Sequence, residues 1–421
     1  MDDSKQLKIL FAIHAYKPAW KFGGPAISVS SLAETLVKKG HKVFVYTTNS
    51  NVYEKLSVLP NVPHDINGVK VWYYDYNNHI QSLFPFIPYL AKSVGFLYAP
   101  LMKQNLLRTI RFIDIVHTQL PFAYPTYLAA TVAHKNNIPY FYSQRGVLNL
   151  KRLKYRSLKK KLYLYAIENK ILKRASALVA LNEDEMISYQ ALGLRNPCHV
   201  IPNGINVENY WQEHRGIAQK EYAIPDSAKV LLYLGRIHWI KRVDCLLDAF
   251  LHISNKFLQA VLVIAGPDES GIANMLLKKA RDYGVADRII IPGMVTGDLK
   301  KDLLARADLF CLPSEEEGFS IAILEALASQ TPVVISDGCH FNEVEKYSAG
   351  AVSSAKPSVL SRVIDDFLSN PSILPQMGEN GLQLVKQKYT WDLIADKHID
   401  MYLKYKRLMH MRSNEKSICN Q

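Results

Sequence analysis

Apolar positions along the chain fall into short runs separated by stretches of helical periodicity. Leu7 to Ile13 is a mostly apolar run that ends in a loop holding Gly23-Gly24-Pro25. Beyond that loop Ile27, Val29, Leu32, Ala33, Leu36 and Val37 recur at helical spacing until Gly40 stops the helix. Val43 to Tyr46 then reads as a second buried strand, which completes a strand–loop–helix–strand unit. Ile113 to His117, Pro139 to Ser143 and Ala177 to Ala180 add further strands. A second series follows at Val230–Gly235, Val261–Gly266, Arg288–Gly293, Leu309–Pro313 and Pro332–Ser336, with helical stretches between them. Continuous apolar strands alternating with helices predict parallel sheets covered on both faces. Pro202 to Asp226 is polar and holds Pro, Gly and Asn, as a connection between domains should. The fold class expected is therefore α/β, with two doubly wound, Rossmann-like domains. The expected bounds are 1–205 and 206–388, followed by a segment 389–421. In that last segment Ile394, Ala395, His398 and Tyr402 sit at helical spacing, so a helix is expected to cross back onto the first domain, with 409–421 a polar tail. Ligands of such sheets bind at the carboxyl ends of strands, so two facing halves place the site in the cleft between them.

Composition narrows the class. A chain of 421 residues suggests two or three domains, and 48 % hydrophobic with 21 % charged residues excludes disordered or collagenous protein. The formal charge of +13 points to anionic partners: nucleic acid, an anionic membrane surface or phosphorylated small molecules. Cys198, Cys245, Cys311, Cys339 and Cys419 are scattered, without a C-x-x-C pair, and read as small buried residues of a reducing compartment. The charged opening Met1 to Lys5 and the short run after it predict no secretory signal. The most apolar window, Ser82 to Met102, carries Pro85, Pro88, Pro100 and Lys92 and is not expected to span a membrane.

The most informative segment is Ser314 to Ala328, which follows a strand and opens a helix whose free N–H groups form an anion site. On this reading Glu317 stands at the helix start and Glu325 about two turns further along a similar face. One carboxylate then reaches a sugar near the strand end and the other a ribose. Spacing alone equally allows a capping glutamate and a second on a solvated helix face. There is no G-x-x-x-x-G-K-[ST] and no G-x-G-x-x-G after the first strand, so an ATPase and a standard dinucleotide site lose their main support.

In company, these motifs carry a resemblance. Glu317-x7-Glu325 within EGFSIAILEALA, followed by Thr331-Pro332-Val333-Val334, resembles the signature of family 4 retaining glycosyltransferases of the GT-B fold. Phe22-Gly23-Gly24-Pro25-Ala26 followed by Ser28 resembles that family's donor loop, and Asp114-Ile115-Val116-His117 its D-[IV]-[IV]-H strand end. Gln144-Arg145-Gly146 resembles the R-G turn of a polysaccharide-assembly branch, Ile201-Pro202-Asn203-Gly204 the domain-crossing I-P-N-G, and Gly235-Arg236 with Lys241 the G-R-x4-K phosphate clamp. The resemblance implies that Arg236 and Lys241 bind the donor diphosphate and neutralise charge as the nucleotide leaves, the kind of fixed electrostatic stabilisation a departing diphosphate needs. It implies that Gly23 and Gly24 let backbone approach the diphosphate, that Glu325 accepts from ribose hydroxyls, and that Glu317 binds the donor sugar beside the Gly318 and Phe319 N–H groups, with Ser320 and Ile321 completing the donor segment. His117 would contact the sugar at the anomeric centre, which makes His117, Arg236, Lys241 and Glu317 the catalytic candidates; Arg145 and Asn203 are acceptor-side candidates. Each has an ordinary alternative: surface cations, a hydrogen-bonded structural histidine, a plain glycine loop. Arg242 stands where the family has Gly after the clamp Lys, and Gln330 where Gly precedes the next strand.

No D-x-D pair stands at a strand end, so metal-independent chemistry is expected, with no cofactor beyond the donor itself. Lys151 to Tyr165 holds seven cations in its first eleven residues with Leu153, Leu158, Leu162 and Tyr165 interleaved, a pattern that suits an anionic bilayer, a solvated helix or, less well, nucleic acid. Ser82–Leu90 and Phe96–Tyr98 line an acceptor groove, touch lipid or pack under the sheet. The expectation is a cytoplasmic enzyme, peripheral on the inner face of the membrane, that moves a sugar from a nucleotide sugar to a glycan or lipid-linked acceptor. Its partners do not include nucleic acid. The rival readings are a phosphorylase or epimerase of the same fold and a non-catalytic sugar-nucleotide or membrane-binding protein.

Overall fold

The computed structural model describes residues 6–51, 54–76, 97–149, 163–210, 216–268 and 270–419. The chain divides into two units, Met1–Asn203 with Trp391–Gln421, and Gly204–Thr390.

The first unit runs β1 (Lys8–Ala12), α1 (Gly24–Lys38), β2 (Lys42–Thr48), a small ribbon of β3 (Ser50–Asn51) and β4 (Glu54–Lys55), β5 (Pro63–Ile66), β6 (Val69–Tyr74), α2 (Pro100–Thr109), β7 (Ile115–Gln119), α3 (Tyr124–Lys135), β8 (Tyr140–Ser143), α4 (Asn169–Arg174), β9 (Ala177–Ala180), α5 (Glu183–Ala191) and β10 (Cys198–Val200). Its sheet has the order β10-β9-β8-β7-β1-β2-β6-β5, parallel throughout except for the β5–β6 pair. The chain leaves β1 toward β2 on one side and later fills β7 to β10 on the other, so the order reverses between β1 and β7. Ile9, Phe11, Val43, Val45, Ile115 and Phe141 face one layer, packed by Val29, Leu32 and Leu36 of α1 and by Trp391, Ile394 and Tyr402 of the carboxyl-terminal helix (Trp391–Cys419). Leu10, Val116, Tyr140, Tyr142 and Leu178 face the other, against Met102, Leu106, Leu128 and Leu172.

The second unit runs α6 (Ile217–Tyr222), β11 (Lys229–Leu234), α7 (Val243–Ile253), β12 (Ala260–Ala265), α8 (Ile272–Asp282), β13 (Ile289–Gly293), α9 (Gly297–Arg306), β14 (Leu309–Leu312), α10 (Ile321–Ala328), β15 (Val333–Ser336), α11 (Glu343–Lys346), β16 (Gly350–Ser353), α12 (Pro357–Ser369) and α13 (Leu374–Lys388). The sheet order β13-β12-β11-β14-β15-β16 is all parallel and reverses between β11 and β14. Val243, Leu246, Leu247, Phe250 and Ile253 of α7 recur at helical spacing and are all buried in one core with the strands. Each such side chain contributes roughly 1.5–3 kcal/mol by leaving water.

Three elements differ from the sequence reading. The β5–β6 hairpin was not anticipated, although its signal is present. Asn67 and Gly68 take φ of 52° and 81°, the left-handed pair that a tight hairpin turn requires, and alternate residues Val69, Val71 and Tyr73 are buried. The carboxyl-terminal helix continues to Cys419 instead of giving way to a tail at 409, since no Gly or Pro interrupts it. Finally, α10 begins only at Ile321, with Ser320 at its cap. Glu317 therefore lies in the loop 313–320 and does not share a helical face with Glu325.

Candidate functional site

In the second unit the two loops that flank the point of strand reversal carry the polar side chains. The loop after β11 begins at Gly235, where a side chain would meet the Tyr233 hydroxyl at 3.0 Å. Gly266, after β12, is tighter still: a Cβ there would lie 1.7 Å from the Gly235 carbonyl oxygen at a φ of 150°. Arg236 follows, with an exposed side chain, while its carbonyl accepts from the buried Tyr233 hydroxyl at 2.7 Å. A short turn, Trp239–Lys241, is capped by His238 Nδ1, which accepts from the Ile240 N–H at 3.2 Å. Arg242 then adopts a φ of 50°. That left-handed conformation explains why glycine suits the position. The Arg242 side chain turns to Asp244, 3.4 Å away. Gln330 is the same case, with a φ of 58° at the turn into β15.

Lys241 reaches across to the loop after β14 and forms an ion pair with Glu317, which is only 7 % exposed. The Glu315 N–H donates to the Ile240 carbonyl at 2.8 Å and stitches the two loops together by backbone, while the Glu317 N–H donates to the Gly338 carbonyl, in the turn after β15, at 2.8 Å. Phe319 packs by its ring against Phe341 and Tyr389 and anchors the segment that leads through Gly318 and Ser320 into α10. The first N–H groups of that helix, from Ile321 on, have no partner within the helix.

Glu325 lies one turn into α10 and is buried, contrary to the alternative of a solvated face. Its Oε1 accepts from the Tyr210 hydroxyl at 2.7 Å and from Lys300 Nζ at 2.6 Å. Burial, reinforced by the Glu325 charge, pushes the Tyr210 hydroxyl well above its ordinary range, so it stays protonated and donates. Tyr210 and Lys300 were missed in the sequence; neither lies in a motif, and only the fold brings them to Glu325.

In the first unit Gly23 takes a φ of 75° at the head of α1, and Gly24 and Pro25 open the helix. Nothing lies within 4 Å of where a Gly23 Cβ would be, so conformation within the chain is what favours glycine there. Arg145, φ 50°, stands in the turn after β8. Its Nε donates to Gln119 Oε1 at 2.6 Å, and its Nη1 to Ser28 Oγ at 2.9 Å and Asn203 Oδ1 at 3.0 Å. The structure thus unites the two acceptor-side candidates, Arg145 and Asn203, in one cluster. It adds Gln119, whose signal was its place two residues beyond His117, on the same strand face and at the strand's carboxyl end.

His117 requires a correction. It is 0 % exposed, Nδ1 is bonded to the Tyr402 hydroxyl at 2.7 Å and Nε2 to Ser143 Oγ at 2.8 Å. The ring stacks on Phe11 and lies beside His398. Burial, helped by the nearby His398 and Arg145, holds it well below the ordinary histidine range, so it is neutral. With both nitrogens engaged and no surface, His117 in this structure is a core residue and does not present a nitrogen to a sugar.

Cys245, Cys311 and Cys339 are buried free thiols, and burial pushes Cys311 up to about 12. Among the described residues no group of three His, Cys, Asp or Glu could hold a metal ion, and no helix is long and apolar enough to cross a membrane. The basic stretch 151–162 and the apolar stretch 82–90 with Phe96 lie outside the described residues.

Two doubly wound units, each with a polar cluster where its strand order reverses, define the GT-B class. Comparison with known proteins agrees. The family described as Glycosyltransferase Family 4 matches residues 22–209, and Glycosyl transferases group 1 matches residues 215–384. An uncharacterized glycosyltransferase of Methanocaldococcus jannaschii is 25 % identical over 413 residues, covering 94 % of this chain and 98 % of the relative. The D-inositol 3-phosphate glycosyltransferase of Streptomyces coelicolor is 28 % identical over 251 residues, and the chain spans about half of its length (54 % of each). Among solved structures, Anabaena HepE in complex with UDP superposes with a TM-score of 0.74 at 17 % identity, over 94 % of this chain and 100 % of that one. The chain belongs to glycosyltransferase family 4 and is a glycosyltransferase of the GT-B fold.

Proposed function

We propose that the protein is a retaining, metal-independent transferase that moves a sugar from a nucleotide-diphosphate sugar to a hydroxyl of a glycan or lipid-linked acceptor, in cell-surface polysaccharide assembly. The observation that carries the reading is the Lys241–Glu317 ion pair, set beside Arg236 where the second sheet reverses. Arg236 and Lys241 would hold the diphosphate. Glu317 would take hydroxyls of the donor sugar, and Glu325, oriented by Tyr210 and Lys300, would accept from the ribose. In the reaction the bond from the anomeric carbon to the phosphate oxygen breaks, and the acceptor oxygen bonds to the same face of that carbon. The acceptor proton passes to the leaving phosphate oxygen, while the two cations stabilise the charge that collects there. No protein carboxylate is required as a nucleophile.

The test is thermal stabilisation by UDP, GDP, ADP and their sugars. A ligand that binds only the native state raises the midpoint according to its affinity. Stabilisation by one nucleotide, lost in Arg236→Ala and Glu325→Ala, is the expected result; no response to any of them would move weight to a non-catalytic binding protein.

Peripheral binding to an anionic membrane is favoured by a separate observation. The first unit carries 32 Lys and Arg against 15 Asp and Glu, while the second carries 19 against 23. On and just after α2, Leu101, Leu107 and Phe112 are exposed in company with Lys103, Arg108 and Arg111. Such a face suits an anionic bilayer. Flotation with anionic liposomes at low salt tests it, and a protein that stays at the bottom of the gradient refutes it.

A further inference from the structure

The Arg145 cluster is built to a different electrical rule from the ion pairs of the second unit. Arg145 lies in a turn that is held from several sides. The Gln144 N–H donates to the Tyr189 hydroxyl at 2.9 Å, Gln144 Nε2 donates to the Glu185 carbonyl at 3.0 Å, and Gln144 Oε1 accepts from the Leu148 N–H at 2.8 Å. The end of β7 is held as well, since Thr126 Oγ1 donates to the carbonyls of Gln119 and Leu120 at 2.8 Å each. The guanidinium is thus placed by its surroundings, and every group it touches is neutral.

A guanidinium has five N–H donors. Three are used here, and Nη2, on the same edge as Nε, makes no hydrogen bond among the described residues. Gln119 contributes a second excess. Its Oε1 is fixed by Arg145 Nε, which sets the amide orientation, and its Nε2, on a residue 0 % exposed, has no partner among the described residues. No carboxylate forms an ion pair with Arg145 among the described residues. Glu185, whose charge Arg145 feels, accepts from the Leu181 N–H at 2.8 Å with its Oε2. Desolvation accordingly pulls the guanidinium down to about 10. A fixed cation with surplus donors and only neutral acceptors, at the point where a parallel sheet reverses, is the complement of an oxyanion.

We propose that this cluster of the first unit receives an oxyanion, a phosphate or carboxylate carried by the acceptor, which takes the unused Nη2 of Arg145 beside the Gln119 amide. This rests on the reading of the chain as a transferase whose first unit takes the acceptor, and it assigns that acceptor a chemical class: a hydroxyl compound bearing an anionic group.

The experiment is binding of inorganic phosphate and of malonate to the full chain, followed by thermal shift and calorimetry against chloride of equal ionic strength. The wild type, Arg145→Gln, Arg145→Lys and Arg236→Ala are compared. At least one of the two anions is expected to bind, about tenfold or more weakly in Arg145→Gln and by an intermediate factor in Arg145→Lys, which keeps the charge but loses the fork. Arg236→Ala removes whatever phosphate collects at the donor clamp and should leave in place the component of binding that is lost in Arg145→Gln. The stronger of the two anions identifies the acceptor group. Should Arg145→Gln not fold, Arg145→Lys decides alone. No oxyanion binding in the wild type, equal binding in the Arg145 variants, or a response that disappears with Arg236→Ala would each overturn the proposal. Nucleotide binding is read separately in the same proteins, so a failed donor reading leaves the Arg145 arm interpretable.

Discussion

The two units place their chemistry at the same topological position and furnish it in opposite ways. In the second, the loops after β11 and β14 bring Lys241 to Glu317, and α9 brings Lys300 to Glu325, so each of these cations has a carboxylate partner. In the first, the turn after β8 brings Arg145 to Gln119, Ser28 and Asn203, all neutral. A balanced cluster keeps its side chains in place without a ligand, and a ligand must exchange with the internal pair. An unbalanced cluster retains an attraction for an anion, at some expense in desolvation. The overall charge follows the same division, since the first unit is strongly basic and the second slightly acidic.

The largest effect is expected where the balanced cluster would meet charge that develops during reaction. Arg236→Ala and Lys241→Ala should each lower the turnover of sugar transfer by about 10²–10³-fold, the scale of losing one preorganised stabilising group. Initial rates at saturating donor are the measurement. Arg145→Gln should instead act mainly on the acceptor KM. If all three variants alter the same kinetic constant by the same factor, the two clusters do one job and the contrast fails.

Acid sharpens the contrast next. His398, 4 % exposed, donates through Nδ1 to the Ile394 carbonyl and lies against His117 and Tyr402. Burial lowers it to about 4 against the opposing effect of that hydrogen bond, with Arg145, His199 and Lys397 each adding a smaller repulsion. Its folded pKa lies below the unfolded value of 6.5, so between these values the unfolded chain binds more protons. Stability is therefore full above pH 6.5 and falls as the pH drops toward 4, by up to about 3 kcal/mol from His398 alone. His117 acts in the same direction. Denaturant melts at pH 7 and pH 4.5, with hydrogen exchange to locate the change, should show the first unit losing stability. His398→Phe should flatten the dependence; an unchanged slope in that variant would remove His398 as its source.

Lys300→Met should have a smaller effect. It leaves Glu325 buried with the Tyr210 hydroxyl, at a cost of about 2 kcal/mol in the stability of the second unit, below the roughly 3–5 kcal/mol of breaking a fully buried pair because Lys300 is 26 % exposed. Chemical denaturation measures it. A neutral result would mean that Tyr210 suffices to hold the carboxylate.

How far the sequence could be read follows from which signals are local. The apolar strand runs and the helix from Gly24 needed only periodicity, and the alternation of strands with helices led directly to two parallel sheets. The motifs placed Lys241 and Glu317 in loops that the fold does bring together. What failed was non-local or conformational. The Glu317–Glu325 spacing looked like two helical turns because nothing in the residue count shows that the chain stays outside the helix through Ser320. His117 looked reactive as a histidine near a strand end, yet Tyr402 and Ser143, 285 and 26 residues away, use both its nitrogens. Arg242 and Gln330 looked like departures from a pattern, and their positive φ values show which backbone need the glycines of that pattern meet. Tyr210 and Lys300 could be found only through tertiary packing.

The smallest effect is the most direct comparison of a neutral contact with an ionic one. Ser28 Oγ accepts from Arg145 at 2.9 Å and is itself 3.3 Å from the Pro25 carbonyl. Ser28→Ala removes an acceptor but strands no charge partner, since Arg145 keeps Gln119 and Asn203. The expected loss is about 1 kcal/mol of stability, about half that of Lys300→Met, because one hydrogen bond to a charged group is lost where water or a bound anion can replace it. Added phosphate or malonate should recover part of that loss in Ser28→Ala, while Lys300→Met, whose defect is an unpaired carboxylate, should gain nothing from an anion. Parallel denaturation curves with and without the anion carry the distinction. Equal recovery in both variants would show that the stabilisation is a general salt effect, and that the electrical difference between the two clusters has no energetic consequence.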